Sequence, residues 1–242
     1  MELTGRTILI TRAAAQSADL RTRLENLGAR VIECPTIQIV PPKTWKPVDD
    51  AIRKVSTYDW LLFTSANAVD QFMKRKANRL CQVRIAVVGS ATADKVIEWG
   101  FKPSLIPKEF RAEGLLEVFP EKMVGTRILF PRAEVARELL PDELRRRGAT
   151  VDIVTVYRTV KAFGGNVAEI LATEKVDCVV FTSPSTLPDE LTAVPAGTAI
   201  AVIGPVTREA AQLLGLQPTI TPRESAVPSL VDAIRRHFTE VK

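Results

Sequence analysis

The chain has 242 residues, of which 46% are hydrophobic and 25% are charged, as in an ordinary globular protein of one large domain or two small ones. The net charge of +5 at pH 7 fits a polyanionic ligand, but aromatic residues make up only 6% and no Lys/Arg run alternates with them, which argues against nucleic acid as a partner. No apolar run approaches the ~20 residues of a membrane span, and the start lacks the pattern of a signal peptide, so we expect no membrane partner.

The cysteines and the histidine limit the chemistry available to the chain. The chain has an odd number of cysteines, which are widely spaced and lie in apolar surroundings: Cys34, Cys81 and Cys178. This pattern indicates buried thiols in a reducing compartment rather than disulfides or a zinc site. His237, the sole histidine, lies near the end in a stretch typical of a solvated tail. The chain therefore has few residues that could form a metal centre or a Ser-His-Asp triad. We expect a cytoplasmic protein without a bound metal.

Three blocks of the sequence occur twice, which indicates an internal duplication. Residues 7–33 resemble 127–153, the Phe-Thr-Ser run ending at Ser65 resembles the one ending at Ser183, and 85–107 resembles 200–222. The offsets are 120, 118 and 115 residues, and eight of the 23 positions in the last pair are identical. A nearly constant offset over three blocks is typical of a duplicated unit of about half the chain.

Both copies predict the same order of elements. A short strand (8–11; 128–131) precedes a helix that ends at Gly28 or Gly148, and a second strand (31–40; 151–160) follows. Next come the Phe-Thr-Ser strand, a helix, the Ala-Val-Val/Ile-Gly strand, a helix ending at Gly100 or Gly215, and a last short strand. Strands that are apolar on both faces and alternate with helices indicate a parallel α/β sheet covered by helices. Such sheets bind ligands beyond the carboxyl ends of their strands.

Small polar residues follow the strands of both copies, where helices begin. They are Thr64, Ser65, Asn67, Gly89, Ser90 and Thr92 in the first copy and Ser183, Ser185, Gly204 and Thr207 in the second. Free amides at helix N-termini bind carboxylates or phosphates, so the duplicated set favours an anion-binding site. The alternative for each residue is that it only caps its own helix, a contribution of ~1 kcal/mol. The sequence contains neither a G-x-G-x-x-G after a strand nor a G-x-x-x-x-G-K-[ST], so no nucleotide is indicated.

Five motifs in order carry a resemblance to a known family: LLFTSANAV, IAVVGSATADKVIEWG, GATVDIVTVYRTV, VVFTSPSTL and AVIGPVTREAAQLLG. Together, and with the Val-x-Val-Tyr-Arg-Thr run at 154–159, they resemble uroporphyrinogen-III synthase over nearly the whole chain. The resemblance implies two flavodoxin-like parallel α/β domains, joined by a two-stranded connection, with a cleft between them. It implies a discontinuous first domain of residues 1–39 and 162–242 and a second domain of 40–161, whereas the repeat alone suggests a cut near Val124.

The resemblance also implies a substrate and a reaction. The family cyclises hydroxymethylbilane, a linear tetrapyrrole with eight carboxylates, to uroporphyrinogen III. The terminal hydroxyl leaves, a spiro intermediate forms, and ring D is inverted, which implies a lyase without metal, nucleotide or redox cofactor. The family pattern points to Tyr157 as the proton donor to the departing hydroxyl, the alternative being a structural tyrosine bonded to backbone. Arg12, Gln16 and Arg132 are candidates for holding carboxylates, although the RAAAQ loop departs from the more usual Arg-Pro.

A second class of function stays open at this point. Two α/β lobes around a cleft also describe a cytosolic binding protein or sensor that closes on an anionic small molecule without chemistry. The product formed from hydroxymethylbilane distinguishes the two, because an enzyme gives the type III isomer and a binder leaves the unaided type I isomer. We expect a monomer, and the sequence leaves open whether it associates with the preceding enzyme of the pathway.

Overall fold

The computed structural model describes residues 1–76, 83–162, 166–188, 191 and 194–240. In chain order, the strands of these residues are β1 (Thr7–Ile10), β2 (Arg30–Glu33), β3 (Ile37–Val40), β4 (Trp60–Phe63), β5 (Arg84–Val87), β6 (Arg127–Ala133), β7 (Thr150–Lys161), β8 (Cys178–Phe181) and β9 (Ala199–Val202). The helices are α1 (Ala14–Asn26), α2 (Lys46–Arg53), α3 (Ala66–Lys76), α4 (Ser90–Glu98), α5 (Ala112–Val118), α6 (Leu139–Arg146), α7 (Val167–Thr173), α8 (Pro205–Leu213) and α9 (Val227–Glu240). Among the described residues, no helix combines the length and the apolar composition needed to cross a membrane.

The chain divides into two compact units. Unit 1 comprises residues 1–39 and 160–242, and unit 2 comprises residues 40–159. The chain passes from one unit to the other twice, once within β3 and once within β7. Val124, where the repeat alone suggests a cut, lies inside unit 2.

Unit 1 is a doubly wound parallel sheet. Its strands lie in the order β2-β1-β8-β9, all neighbours are parallel, and Ile8 is in register with Val31 on one side and Cys178 on the other. Ile220 extends the sheet by a parallel bridge to Ala201. The chain reverses direction across the sheet between β1 and β8, so the crevice for a ligand lies at the carboxyl ends of these two strands.

The core of unit 1 follows from the alternation of side chains along its strands. Ile8 and Ile10 of β1 pack with Leu20 and Leu24 of α1, in a cluster that also takes in α9. Leu9 faces the other way, into a cluster built on α7 and α8. Strands buried on both faces in this way explain the continuous apolar runs of the sequence.

Unit 2 repeats this arrangement with its strands in a different chain order. Its sheet runs β3-β7-β6-β4-β5, and the pairs from β7 to β5 are parallel. Leu105 extends the far edge by a parallel bridge to Ala86. Therefore β6, β7, β4 and β5 take the places that β1, β2, β8 and β9 have in unit 1. Each unit thus combines the beginning of one sequence repeat with the end of the other.

Two helical layers also cover the sheet of unit 2. Leu62 and Phe130 belong to a cluster that includes Leu115 of α5 and Leu144 of α6. On another side of β4, the rings of Phe63 and Phe72 (α3) meet edge to face at 5.8 Å between centroids.

Several predicted elements differ from the structure. The last short strand predicted for each copy is an isolated parallel bridge, at Leu105 and at Ile220. The single strand predicted over 31–40 is two strands, β2 and β3, because Pro35 lacks the N–H that a ladder needs. The helix predicted after the second Phe-Thr-Ser run is a 3₁₀ turn at Pro184–Thr186. Pro188 disfavours helical backbone at Leu187, so the turn does not continue as an α-helix there.

The predicted burial of the cysteines is confirmed where the structure describes them. Cys34 and Cys178 are free, buried thiols, and burial raises the pKa of each. Cys81 lies outside the described residues.

Tyr58 joins a partly exposed polar cluster at the amino ends of the strands of unit 2. Its side chain is buried, and its hydroxyl donates to Asp152 Oδ2. Asp152 also lies 3.8 Å from Arg127 Nη2 and 3.6 Å from Lys54 Nζ. Burial, and then the hydrogen bond and charge of Asp152, raise the pKa of Tyr58 above its ordinary value of ~10.

Because this pKa is raised, the free energy of unfolding depends on pH in the alkaline range. The folded state favours the neutral phenol, so its stabilisation is complete below pH ~10 and is lost as the pH rises towards the folded pKa. Tyr58→Phe should lower the free energy of unfolding by about 1–3 kcal/mol at pH 8, the usual cost of losing a hydrogen bond to a charged group. Urea denaturation from pH 8 to 11 measures both proteins. The difference between them should shrink above pH ~10, and a constant difference would contradict the assignment.

Candidate active site

In unit 2, a phenol and a serine meet beyond the carboxyl ends of the strands. Tyr157 lies near the end of β7 and is 8% exposed. Its hydroxyl lies 3.2 Å from Ser65 Oγ, in the loop between β4 and α3. Ser65 Oγ also accepts a hydrogen bond from the N–H of Ala68, so it caps the N-terminus of α3. Within the described part of the chain, the Tyr157 hydroxyl therefore contacts a side chain in the loop after β4 and not a backbone group.

Arg132 lies on the central strand of the same unit. It is 8% exposed, and β6 and β7 pair so that Arg132 faces Thr155 and Ala133 faces Tyr157, with a shift of register between them. Its Nη2 pairs with Glu138 Oε1, and its Nη1 donates to the carbonyl of Arg137 at 3.2 Å. Nε is buried and has no hydrogen-bond partner among the residues that the structure describes.

In unit 1, Arg12 holds the position that Arg132 has in unit 2. It follows β1, is partly buried, and its Nε donates to Gln16 Oε1 at 3.5 Å. Burial lowers the pKa of Arg12 and Asp19 partly offsets this, although an arginine stays charged in proteins. Both arginines thus lie at the crevice where the strand order of their unit reverses.

Hydroxyl groups also gather after β8 in unit 1. Ser183 Oγ and Ser185 Oγ lie 2.8 Å apart, and Thr186 Oγ1 donates to the carbonyl of Ser183 at 2.7 Å. Ser183 is thus the cap of a 3₁₀ turn rather than of an α-helix.

The two glycines before helices differ in the space around them. Gly89 precedes α4 and Gly204 precedes α8, both with extended backbone that any residue can adopt. A Cβ at Gly204 would lie 2.1 Å from Ser225 Oγ and 3.1 Å from Ser225 Cβ, whereas one at Gly89 would lie 3.5 Å from Phe110 Cβ. The absence of a side chain at Gly204 therefore allows Ser225 to approach closely within unit 1.

The remaining candidates lie at the beginnings of helices. Ser90 is the first residue of α4, and Asn67 and Thr64 are partly buried at the start of α3 and just before it. Thr92 and Thr207 are buried, in the first turns of α4 and α8. The structure thus brings together Ser65 with Tyr157, Arg12 with Gln16, and Ser183 with Ser185.

Sequence reasoning missed several residues that position these groups. Thr11 Oγ1 donates to the carbonyl of Val180 at 3.0 Å and ties the end of β1 to β8. Thr36 Oγ1 contacts the carbonyls of Thr11 and Thr186. Glu138 was also missed. Thr11 precedes a candidate arginine and offered a weak signal, whereas the others lie in loops without a recognisable pattern.

Among the described residues, no group of three or more His, Cys, Asp and Glu side chains is arranged to hold a metal ion.

Two doubly wound α/β units with hydroxyls and arginines at their strand ends place the chain in the class of two-domain parallel α/β proteins. Comparison with known proteins identifies the family within this class. The family model for uroporphyrinogen-III synthase HemD matches residues 18–232. The uroporphyrinogen-III synthase of Synechococcus elongatus is 36% identical over 97% of this chain and 96% of its own. The chloroplastic uroporphyrinogen-III synthase of rice is 30% identical over 95% of this chain and 81% of its own. The chain belongs to the uroporphyrinogen-III synthase family.

Solved structures share the fold. A mutant uroporphyrinogen III synthase from Thermus thermophilus superimposes with a TM-score of 0.70 at 17% identity, over 98% of this chain and 100% of the other. The enzyme from Helicobacter pylori gives a TM-score of 0.59 at 16% identity, over 95% and 98%. At these identities the likeness concerns the architecture of two parallel α/β domains.

The packing at Gly204 can be tested against Gly89. Gly204→Ala should lower the free energy of unfolding by about 1–3 kcal/mol, since the new methyl group overpacks against Ser225. Gly89→Ala is the matched control, because it also replaces the glycine before a helix but meets only an ordinary contact. Urea denaturation measures both, and Ser225→Gly should recover part of the loss in Gly204→Ala. Equal losses for the two alanine variants would contradict this account.

Proposed function

We propose that this chain is a lyase that cyclises hydroxymethylbilane to uroporphyrinogen III, with inversion of ring D through a spiro intermediate. Membership of the family supports the reaction, and the contact between Tyr157 and Ser65 is the observation that carries the mechanism. The conversion removes one water and forms a carbon–carbon bond without a net redox change. It therefore draws on protons and positioning rather than on a cofactor.

The hydroxyl group of the substrate leaves as water and needs a proton. Tyr157 donates it, because its phenol is an O–H donor at the edge of the crevice of unit 2. Ser65 Oγ, 3.2 Å away, then donates to the phenolate oxygen. The N-terminus of α3, which Ser65 caps, adds the positive end of a helix dipole to the same oxygen. A proton released when the last ring closes restores the phenol.

Each unit offers cations and amides that suit the carboxylates of the substrate. Arg12 in unit 1 and Arg132 in unit 2 supply guanidinium groups, which suit carboxylates. The N-termini of α4 and α8 supply backbone N–H groups. The net charge of +5 raises the local concentration of such a polyanion.

The nature of the product tests the proposed function directly. Freshly prepared hydroxymethylbilane is given to the protein, and the product is oxidised to uroporphyrin and separated into isomers by chromatography. The wild-type protein should give the type III isomer. If only the type I isomer forms, as without protein, the proposal fails and a binding protein for an anionic small molecule becomes the better description.

Tyr157→Phe tests the proton donor. It keeps the ring in place on β7 and should lower kcat for type III product by 10²–10⁴-fold, the usual contribution of a general acid. Ser65→Ala, which leaves the phenol intact, should cost less.

The chain offers a matched control, since Tyr58 is its only other tyrosine. Tyr58→Phe makes the same change in the same unit, at the amino ends of the strands, and should leave kcat near that of wild type. A folded Tyr157→Phe variant with full kcat would remove Tyr157 from the mechanism.

A further inference from the structure

The guanidinium group of Arg132 is buried but only partly satisfied. Its side chain is 9% exposed, and Glu138 is the one carboxylate paired with it among the described residues. Of its five N–H donors, one points to the Arg137 carbonyl and another to Glu138, while Nε is buried without a partner in the described part of the chain. A buried cation needs a counter-charge, so whatever anion reaches Arg132 is held strongly.

The carboxylate that now fills this role belongs to a half-exposed side chain. The side chain of Glu138 is 53% exposed. It is the residue before α6, it makes no capping hydrogen bond to that helix, and the preceding residues from 134 to 137 are exposed. Moving Glu138 away from Arg132 therefore disturbs little of the core of unit 2.

The equivalent arginine of unit 1 has a different neighbour. Arg12 contacts Gln16, whose amide oxygen carries no net charge, and α1 has no acidic residue in its first turn. The pairing of this arginine with a carboxylate thus occurs at Arg132 in the second copy of the repeat and is not a feature that both copies share.

We propose that Glu138 is an internal substitute for a substrate carboxylate, which neutralises Arg132 in the free protein and is displaced when a carboxylate of the tetrapyrrole binds. This inference rests on the proposed function. The exchange keeps the buried guanidinium paired in both states. It also lowers the apparent affinity, because the substrate competes with an attached anion.

Glu138→Gln tests the exchange, since the amide keeps the shape of the side chain but not its charge. The dissociation constant for uroporphyrin III, measured by calorimetry, and KM for hydroxymethylbilane should both fall, by roughly 3–10-fold, with kcat little changed. Without ligand the variant should melt at a lower temperature than wild type, and uroporphyrin III should raise its melting temperature by more. Asp142→Asn is the matched control, because Asp142 is exposed on α6, lies 3.6 Å from Arg145 and gives the same change in charge. It should leave both constants near those of wild type.

A purely structural role for Glu138 gives the opposite result. Glu138→Gln would then melt lower but bind uroporphyrin III equally well or more weakly, with KM unchanged or raised, and this overturns the proposal. Failure of the proposed function is recognised separately. If the wild-type protein makes no type III product, the calorimetric comparison still decides: tighter binding to Glu138→Gln supports exchange at Arg132, and equal, weaker or absent binding overturns it.

Discussion

The parallel pairing of β1 with β8, and of β6 with β4, joins strands from opposite halves of the chain, and both units depend on it. Each pair forms the centre of its sheet, and each marks the place where the strand order reverses. The helices that cover the sheets and the loops that carry the arginines and serines take their positions from these strands. Pairing between distant segments costs loop-closure entropy before the contacts between them stabilise the fold. The sheets therefore form completely only once both halves of the chain are present.

The sequence predicts the elements of this fold far better than their pairing. Apolar runs and glycines locate the strands and helix ends, and the repeat assigns each element a counterpart. The repeat leaves open whether β1 joins the β4 of its own copy or the equivalent β8, because both strands have the same pattern of apolar residues. The resemblance to a family supplied that choice. The break at Pro35 and the short turn at Pro184–Thr186 were missed because single prolines were outweighed by the runs around them.

The candidate site was likewise predictable from the sequence only in part. Arg132 stands near the end of β6, which is a position that the sequence reveals, whereas Tyr157, within β7, was singled out by the resemblance to the family. The hydroxyl contact between Tyr157 and Ser65 joins residues 92 positions apart and follows only from strand order. Glu138 was not predictable at all, because it lies in an exposed segment and matters only through the group that it meets. Packing, rather than local pattern, selects such partners.

The differences between the two copies say more about function than their likeness. In the alignment of the repeats, the position of Tyr157 is taken by Ile37, and the position of Ser65 by Ser183, whose hydroxyl contacts Ser185 instead of a phenol. Arg132 is paired with a carboxylate and Arg12 with an amide. Both units therefore keep the helix N-termini and the arginine that suit anions, while the phenol belongs to unit 2. This asymmetry fits a substrate that carries carboxylates along its whole length but loses a single hydroxyl group, from one end, for which a single proton donor is enough.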